Sequence, residues 1–356
     1  MSEQSCLTNQ PNGPFYGYAC PVTHSPLQVL VDNQLRSSSN GRCYKIDDGI
    51  PNFLSFQPVE DKEEVQKLEL LVKTGREHGC EHALRQYDSA SADYVLDTGR
   101  AKYLDLLPLD IASRVLEIGA SKGQHTRLIA KRCKSLHAID VVAGQMLFAR
   151  EWCAQLGCTN VGFAVGGDDS RLPYFDEAFD VVILNYVFEW SAHRSERKPA
   201  DGQKMLLSEC SRVLKPGGCM FLATKNRFSA RLLLGARDEH VNFRFGNALP
   251  RWLMQLVLRA TGRARPSGLL HSYRALRRMV TENGFDRIEP FWAIPDARFP
   301  LTYLPFDREA IVAARQDPIY REAGLLNRLM LKFAPIALIK ALAASHVFVA
   351  YKSGPK

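Results

Sequence analysis

Between Arg114 and Lys225 the chain alternates short apolar runs with longer stretches whose apolar residues recur every three or four positions. The short runs "RVLEIG", "SLHAID", "VGFAVGG", "FDVVILNYV" and "GCMFLATK" predict strands. Between them "GQHTRLIAKRC", "AGQMLFAREWCAQLG" and "GQKMLLSECSRVL" predict helices. Alternation at this spacing argues for a parallel sheet covered by helices on both faces. After Lys225 the rhythm loosens, but helix "SYRALRRMVTENG", strand "FDRIEPFWAI" and a last strand "SHVFVAYK" complete the sheet. Upstream, "KEEVQKLELLVKTG" and "SADYVLDTGRAKYLDLL" carry helical spacing. Residues 1–57 differ: they are rich in Pro, Gly, Ser and Asn, and the short pieces "LQVLV" and "GIPNFL" fit small β-hairpins.

Composition changes this picture little. With 356 residues, 46% hydrophobic and 24% charged, the chain is ordinary for a globular protein. No basic-then-apolar leader and no uncharged apolar run of about 18 residues is seen, so a cytoplasmic protein without a spanning helix is expected. The nine cysteines are scattered and odd in number, which reads as reduced thiols. Charge is more telling. From Lys225 to Arg278 there are 12 Lys/Arg and 2 Asp/Glu, a local excess of +10 against a net charge of +8. Basicity therefore belongs to one segment and describes one surface.

The chemistry concentrates at "VLEIGASKG", where a strand runs into a glycine-bearing turn. Bare backbone at Gly119 and Gly123 can approach a ligand closely. Such a turn serves dinucleotides too. A carboxylate at Glu117, however, repels a pyrophosphate and favours a ligand carrying cationic groups. Asp140 ends the next strand, placed to accept from ribose hydroxyls. Asp168 follows the third strand and can accept from an adenine amino group, while the Asp169 backbone can meet a ring nitrogen.

Taken together, "VLEIGASKG", "AID", "GDDSRLPYFDEAFDVVILNYVFEW" and "RVLKPGGCMFLATKNR" resemble a class I S-adenosylmethionine-dependent methyltransferase, most closely the small-molecule branch that includes ubiquinone- and menaquinone-type enzymes. The likeness covers roughly residues 90–225, and by pattern 272–294 and 345–352. It implies an α/β, Rossmann-like, seven-stranded and mostly parallel sheet with helices on both faces, a small N-terminal β-rich module and a helical cap. It also implies S-adenosyl-L-methionine as cofactor. Glu117, Gly119, Ala120, Ser121 and Gly123 would line its methionine end. Asp140 and Val141 would hold the ribose, Asp168 and Asp169 the adenine, and Asn185 with Tyr186 would flank the reacting methyl group. Ser121 departs from the family, which more often has glycine there.

"CPVTHSPL" followed by "GRCYKIDDGIPNFL" resembles the small zinc ribbon fused to or paired with such enzymes. Measured from Tyr44, its second cysteine pair should fall at Ser38 and Gly41, and the partner of Cys20 at Thr23. Cys43 and His24 are out of place. One ligand in four cannot hold tetrahedral zinc, so no metal is expected and the module reads as a packing or interaction unit.

The chain thus divides into a ribbon-like module (1–57), a helical lead-in (58–107), the cofactor-binding core (108–224), a basic cap insertion (225–271), a core helix and strand (272–294), an apolar cap insertion (295–344) and a final strand and tail (345–356). Both insertions are expected on the cleft side, where they would select the methyl acceptor. "LPRWLMQLVLRATGRARP" joins Trp252, Leu253, Leu256 and Val257 to Arg251, Arg259, Arg263 and Arg265, and suggests a cap that packs on the core or lies against a membrane. A neutral hydroxyl acceptor would need a general base, for which Glu189, His193, His240 and His271 are candidates. The acceptor loop "NYVFEW" lacks the Asn-Pro-Pro-aromatic pattern of amide and base methylation. The expected activity is methyl transfer, at oxygen, to a small-molecule or lipid- or glycan-linked acceptor, anionic ones included. Alternatives are a ribosomal- or transfer-RNA methyltransferase, which the basic segment favours, a non-catalytic methyltransferase-like partner protein, and an NAD oxidoreductase, which Glu117 disfavours.

Overall fold

The structure, a computed structural model, describes residues 8, 16–56, 61–191, 198–239, 243–262 and 268–354. Four short antiparallel strands come first: β1 (Leu27–Leu30), β2 (Gln34–Ser37), β3 (Cys43–Asp47) and β4 (Ile50–Pro51). Three helices follow, α1 (Lys62–His78), α2 (Cys80–Tyr87) and α3 (Ser89–Leu96), then a 3-10 turn over Thr98–Leu106. The α/β core runs β5 (Arg114–Ile118), α4 (Thr126–Ile129), β6 (Ser135–Asp140), α5 (Ala143–Gln155), β7 (Val161–Val165), β8 (Phe179–Asn185), α6 (Pro199–Val213) and β9 (Leu214–Lys225). Then come α7 (Ala230–Leu233), α8 (Arg251–Ala260), α9 (Tyr273–Glu282), β10 (Phe285–Ile294), β11 (Thr302–Pro305), α10 (Arg308–Ala314), α11 (Leu325–Phe333), α12 (Ile336–Leu342) and β12 (Ser345–Lys352).

The main sheet has the order β11-β10-β12-β9-β8-β5-β6-β7. Strands β9, β8, β5, β6 and β7 are mutually parallel, and β12 inserts antiparallel between β9 and β10. The sheet has eight strands where seven were expected. The extra one, β11, arises inside the segment read as apolar cap and pairs antiparallel with β10. It covers ladder groups that β10 would otherwise present as an open edge. The β5, β8 and β12 runs read clearly because strands buried on both faces are almost continuously apolar. "GQHTRLIAKRC" forms much less helix than expected, only Thr126–Ile129 and a 3-10 turn.

At the opposite edge, the N-terminal module closes β7. Asn52 bridges Val165 in parallel, and the Phe53 amide donates to the Val165 carbonyl at 2.7 Å. Tyr18 bridges Tyr174, and its hydroxyl donates to the Phe163 carbonyl at 2.9 Å. Tyr18, Leu27, Leu35, Tyr44 and Phe53 share one hydrophobic cluster with Leu116, Ile118, Ile139 and Leu184 of the sheet. Two turns of this module are joined by a clasp of hydroxyls. Ser39 donates to Thr23 at 2.8 Å and to Ser25 at 3.0 Å, and Ser25 bonds Ser37 at 3.1 Å.

The strand directions put three exits at one end of the sheet: Gly119 after β5, Asn226 after β9 and Pro295 after β10. The segments following β9 and β10 therefore leave beside the glycine turn. The 295–344 segment packs its own cluster, Ile311, Tyr320, Met330, Leu331 and Ile339, on Trp292 and Ile294 of β10.

Because Phe53 is buried at the seam between module and sheet, Phe53→Ala is expected to lower stability by about 3–5 kcal/mol. Urea denaturation followed by circular dichroism checks this. One transition for the whole chain is expected, since the two sheets share a core.

Candidate active site

The turn after β5 is shaped by two constraints. Gly119 has φ +76°, and a Cβ there would lie 1.9 Å from Val187 Cγ2, so no side chain fits. Ser121 also has positive φ, +50°, a region that costs a non-glycine residue conformational energy. The compensation is visible: its N–H donates to Asp140 Oδ2 at 2.9 Å, and Val142 N–H donates to Oδ1 at 3.1 Å. Ser121 thus holds the end of β6 to the end of β5. Glu117, on β5 two residues before Gly119, is buried, and Thr126 Oγ1 donates to its Oε2 at 2.6 Å. Burial pushes its carboxyl up to about 8; the Thr126 bond opposes the shift and nearby Asp140 adds to it.

A cavity of about 670 Å³ opens at this end of the sheet. It brings together eight of the residues read as cofactor-binding: Glu117, Gly119, Ser121, Asp140, Val141, Asp168, Asn185 and Tyr186. Three others are not on its wall. Ala120 packs into a core cluster with Ala138 and Met146. Gly123 lets the turn approach α5, since a Cβ there would lie 2.9 Å from that of Ala149. Asp169 turns to Arg171, whose N–H it accepts at 3.1 Å. Asp168 accepts backbone N–H bonds from Ser55, at 2.9 Å, and from Phe56, at 3.3 Å. The N-terminal module therefore reaches the wall of the cavity.

Two of the proposed bases are not there. Glu189 is buried, its Oε2 accepting from Thr224 Oγ1 at 2.7 Å beneath β9, and it lines neither chamber described here. His271 is also buried. Its Nε2 is bonded to Gln203 Oε1 at 2.7 Å, and the Gln203 amide in turn donates to the Phe188 and Leu269 carbonyls. Burial pushes His271 down to about 4, so it is a neutral tie between segments. His193 and His240 lie outside the described residues. Lys122, beside the turn, pairs with Asp88 at 3.0 Å.

Other groups on the wall carry no sequence signal. Arg100, in the 3-10 turn, is buried. Its Nε donates to the Arg298 carbonyl at 3.0 Å and its Nη1 to the Tyr94 carbonyl at 2.9 Å. Burial lowers its pKa, and no carboxylate among the described residues pairs with it. His125 is buried with neither ring nitrogen bonded to the protein, and burial pushes it down to about 3. A buried cation without an anion is costly, so this corner fits a ligand carboxylate, just as the Glu117 corner fits a ligand cation.

A second chamber of about 180 Å³ lies under the cap. Its wall shares Tyr186, Glu239 and Arg298 with the larger cavity. Glu239 pairs with Lys225 at 2.6 Å and with Arg298 at 3.0 Å. The Tyr186 hydroxyl is bonded to that of Ser345. The two chambers thus meet at these three residues.

A zwitterionic amino-acid end, a ribose and an adenine match Glu117 with Arg100, Asp140, and the Asp168 end of this cavity in turn. Residues 116–222 match the family model of the methyltransferase domain. This part of the chain is a class I S-adenosylmethionine-dependent methyltransferase domain. The chain is 33% identical over 125 residues to the biotin biosynthesis bifunctional protein of Cellvibrio japonicus (35% of this chain, 22% of that protein). It is 32% identical over 114 residues to the malonyl-[acyl-carrier protein] O-methyltransferase of Methylococcus capsulatus (32% and 37%). It is 29% identical over 197 residues to the protein-L-isoaspartate O-methyltransferase of Myxococcus xanthus (52% and 82%). The chain thus spans well under half the length of the first two.

If Glu117 must ionise to meet the cofactor's ammonium or sulfonium group, binding releases a proton. Affinity for S-adenosylhomocysteine should then rise with pH, roughly tenfold per unit below pH 8, and level off above. Titration calorimetry in buffers of different ionisation enthalpy reads the proton directly. Glu117→Gln should weaken binding and flatten the slope; a pH-independent wild type would contradict this role.

Proposed function

We propose that the chain transfers a methyl group from S-adenosylmethionine to an oxygen of a small-molecule or carrier-, lipid- or glycan-linked acceptor seated in the second chamber. The observation that carries this reading is the shared wall of Tyr186, Glu239 and Arg298 between the two chambers. The cofactor supplies an electrophilic methyl on sulfur, and its displacement is in-line. The chain's contribution is to orient the acceptor and keep water out. Oxygen as acceptor is supported by the relatives named O-methyltransferases.

A carboxylate acceptor is already nucleophilic. A hydroxyl acceptor must lose a proton, and Glu239 is the acidic side chain common to both walls among the described residues. It is paired with two cations, so it works as a base only when the acceptor hydroxyl takes over one of those contacts. The earlier candidates, Glu189 and His271, do not line either chamber. A second reading, RNA as acceptor, draws on the run from His240 to Thr281, which holds eight arginines and no acidic residue.

The test is transfer of labelled methyl into cell extract, fractionated into lipid, small-molecule, RNA and protein pools. Label in the lipid or small-molecule pool is expected. Label confined to RNA would favour the second reading. No label, together with no binding of S-adenosylmethionine at millimolar concentration, would refute enzyme function. With a hydroxyl acceptor, Glu239→Gln should lower kcat about 100-fold while leaving S-adenosylhomocysteine affinity within about threefold; with a carboxylate acceptor kcat should change little.

A further inference from the structure

The cap carries a surface unlike the rest of the molecule. Nineteen large apolar side chains are exposed among the described residues, and twelve of them fall in segments 225–271 and 295–344, which make up 97 of the 356 residues. On α11, Leu325, Leu329 and Phe333 are 66%, 46% and 69% exposed. Their four-residue spacing puts them on one helix face, while Met330 and Leu331 turn inward to the core. On α8, Trp252 and Leu256 are 68% and 57% exposed, and Met254 with Leu258 fill the inner side. Each helix therefore has an inner apolar face that the fold uses and an outer one that it does not.

Charge selects the occupant. No Asp or Glu occurs from His240 to Thr281, and none from Ala323 to the end of the sequence. Arg259 follows Leu256 on α8, and Arg328 and Lys332 flank the α11 stripe; none has an ion-pair partner among the described residues. Glu239, at the edge of the acid-free run that begins at His240, is engaged by Lys225 and Arg298. A second copy of this chain would set cation against cation. A polyanion such as RNA would leave the leucines and Phe333 uncovered. An anionic bilayer takes both: apolar side chains enter the headgroup–acyl boundary and the cations meet lipid phosphates.

We propose that the outer faces of α8 and α11 dock the cap on an anionic lipid surface. The contact is peripheral, as no helix among the described residues is long and apolar enough to cross a membrane. Arg231 and Leu232 of α7 line the second chamber, and the neighbouring Leu234 is 74% exposed.

The test is co-sedimentation of the full chain with vesicles of pure phosphatidylcholine, or of phosphatidylcholine with about a third phosphatidylglycerol. At least tenfold stronger binding to the anionic vesicles is expected, falling as salt is raised, with a blue shift of tryptophan emission. The double variant Trp252→Glu, Phe333→Glu should lose at least tenfold in vesicle binding. Its melting temperature and S-adenosylhomocysteine affinity should stay unchanged, which separates this surface from folding and from the methyl-transfer reading. A chain that stays in the supernatant with anionic vesicles at low salt overturns the proposal. So does a wild type that self-associates, or captures acidic acyl carrier protein or RNA, through these residues while ignoring vesicles.

Discussion

Two backbone amides, from Ser55 and Phe56, close on the Asp168 carboxylate, and much of the site depends on that junction. Asp168 is buried, and burial raises its pKa; without the amides its oxygens would lose their protein donors in a dry place. The same chain segment supplies the bonds from Asn52 and Phe53 that cover edge strand β7. One short run, 52–56, therefore protects a sheet edge, seals one side of the module's core and fixes an acidic group on the cavity wall. The N-terminal module is part of the cavity's framework, and a clasp of hydroxyls ties its own turns together.

The cavity itself is built from groups whose burial leaves them wanting a ligand. Glu117 is held largely protonated near neutrality, Arg100 keeps a buried charge with two carbonyls and the Tyr94 ring as partners but no carboxylate bonded to it among the described residues, and His125 is neutral and unbonded. These are unfavourable arrangements in an empty protein and favourable ones around a ligand with an ammonium and a carboxylate. Such stored polarity is a common property of functional sites. It also explains why the wall is drawn from elements far apart in sequence: cations and acids placed close along the chain would satisfy one another before a ligand arrived.

That separation sets what was readable from sequence. Glu117 and Asp140 were visible because strand ends in a parallel sheet have fixed places, and their order along the chain is their order in the fold. Ser121 looked out of place because the reason for its backbone conformation, the Asp140 carboxylate, is 19 residues away. Arg100, Glu239 and Arg298 were invisible because the lead-in and the two insertions bring them together only in the folded chain. His271 drew attention as a titratable group in the cap, but Gln203, 68 residues distant, had already claimed its ring nitrogen. β11 was missed for a different reason: four residues that cover an edge need no long apolar run.

The central claim is that one end of this sheet holds S-adenosylmethionine with its methyl directed at the chamber beyond Tyr186. A crystal structure with S-adenosylhomocysteine tests it most directly. The amino-acid end should lie between Glu117 and Arg100, the ribose on Asp140 and the sulfur facing the Tyr186–Glu239–Arg298 wall. Ligand bound elsewhere, or bound with its sulfur turned away from that wall, would contradict the account.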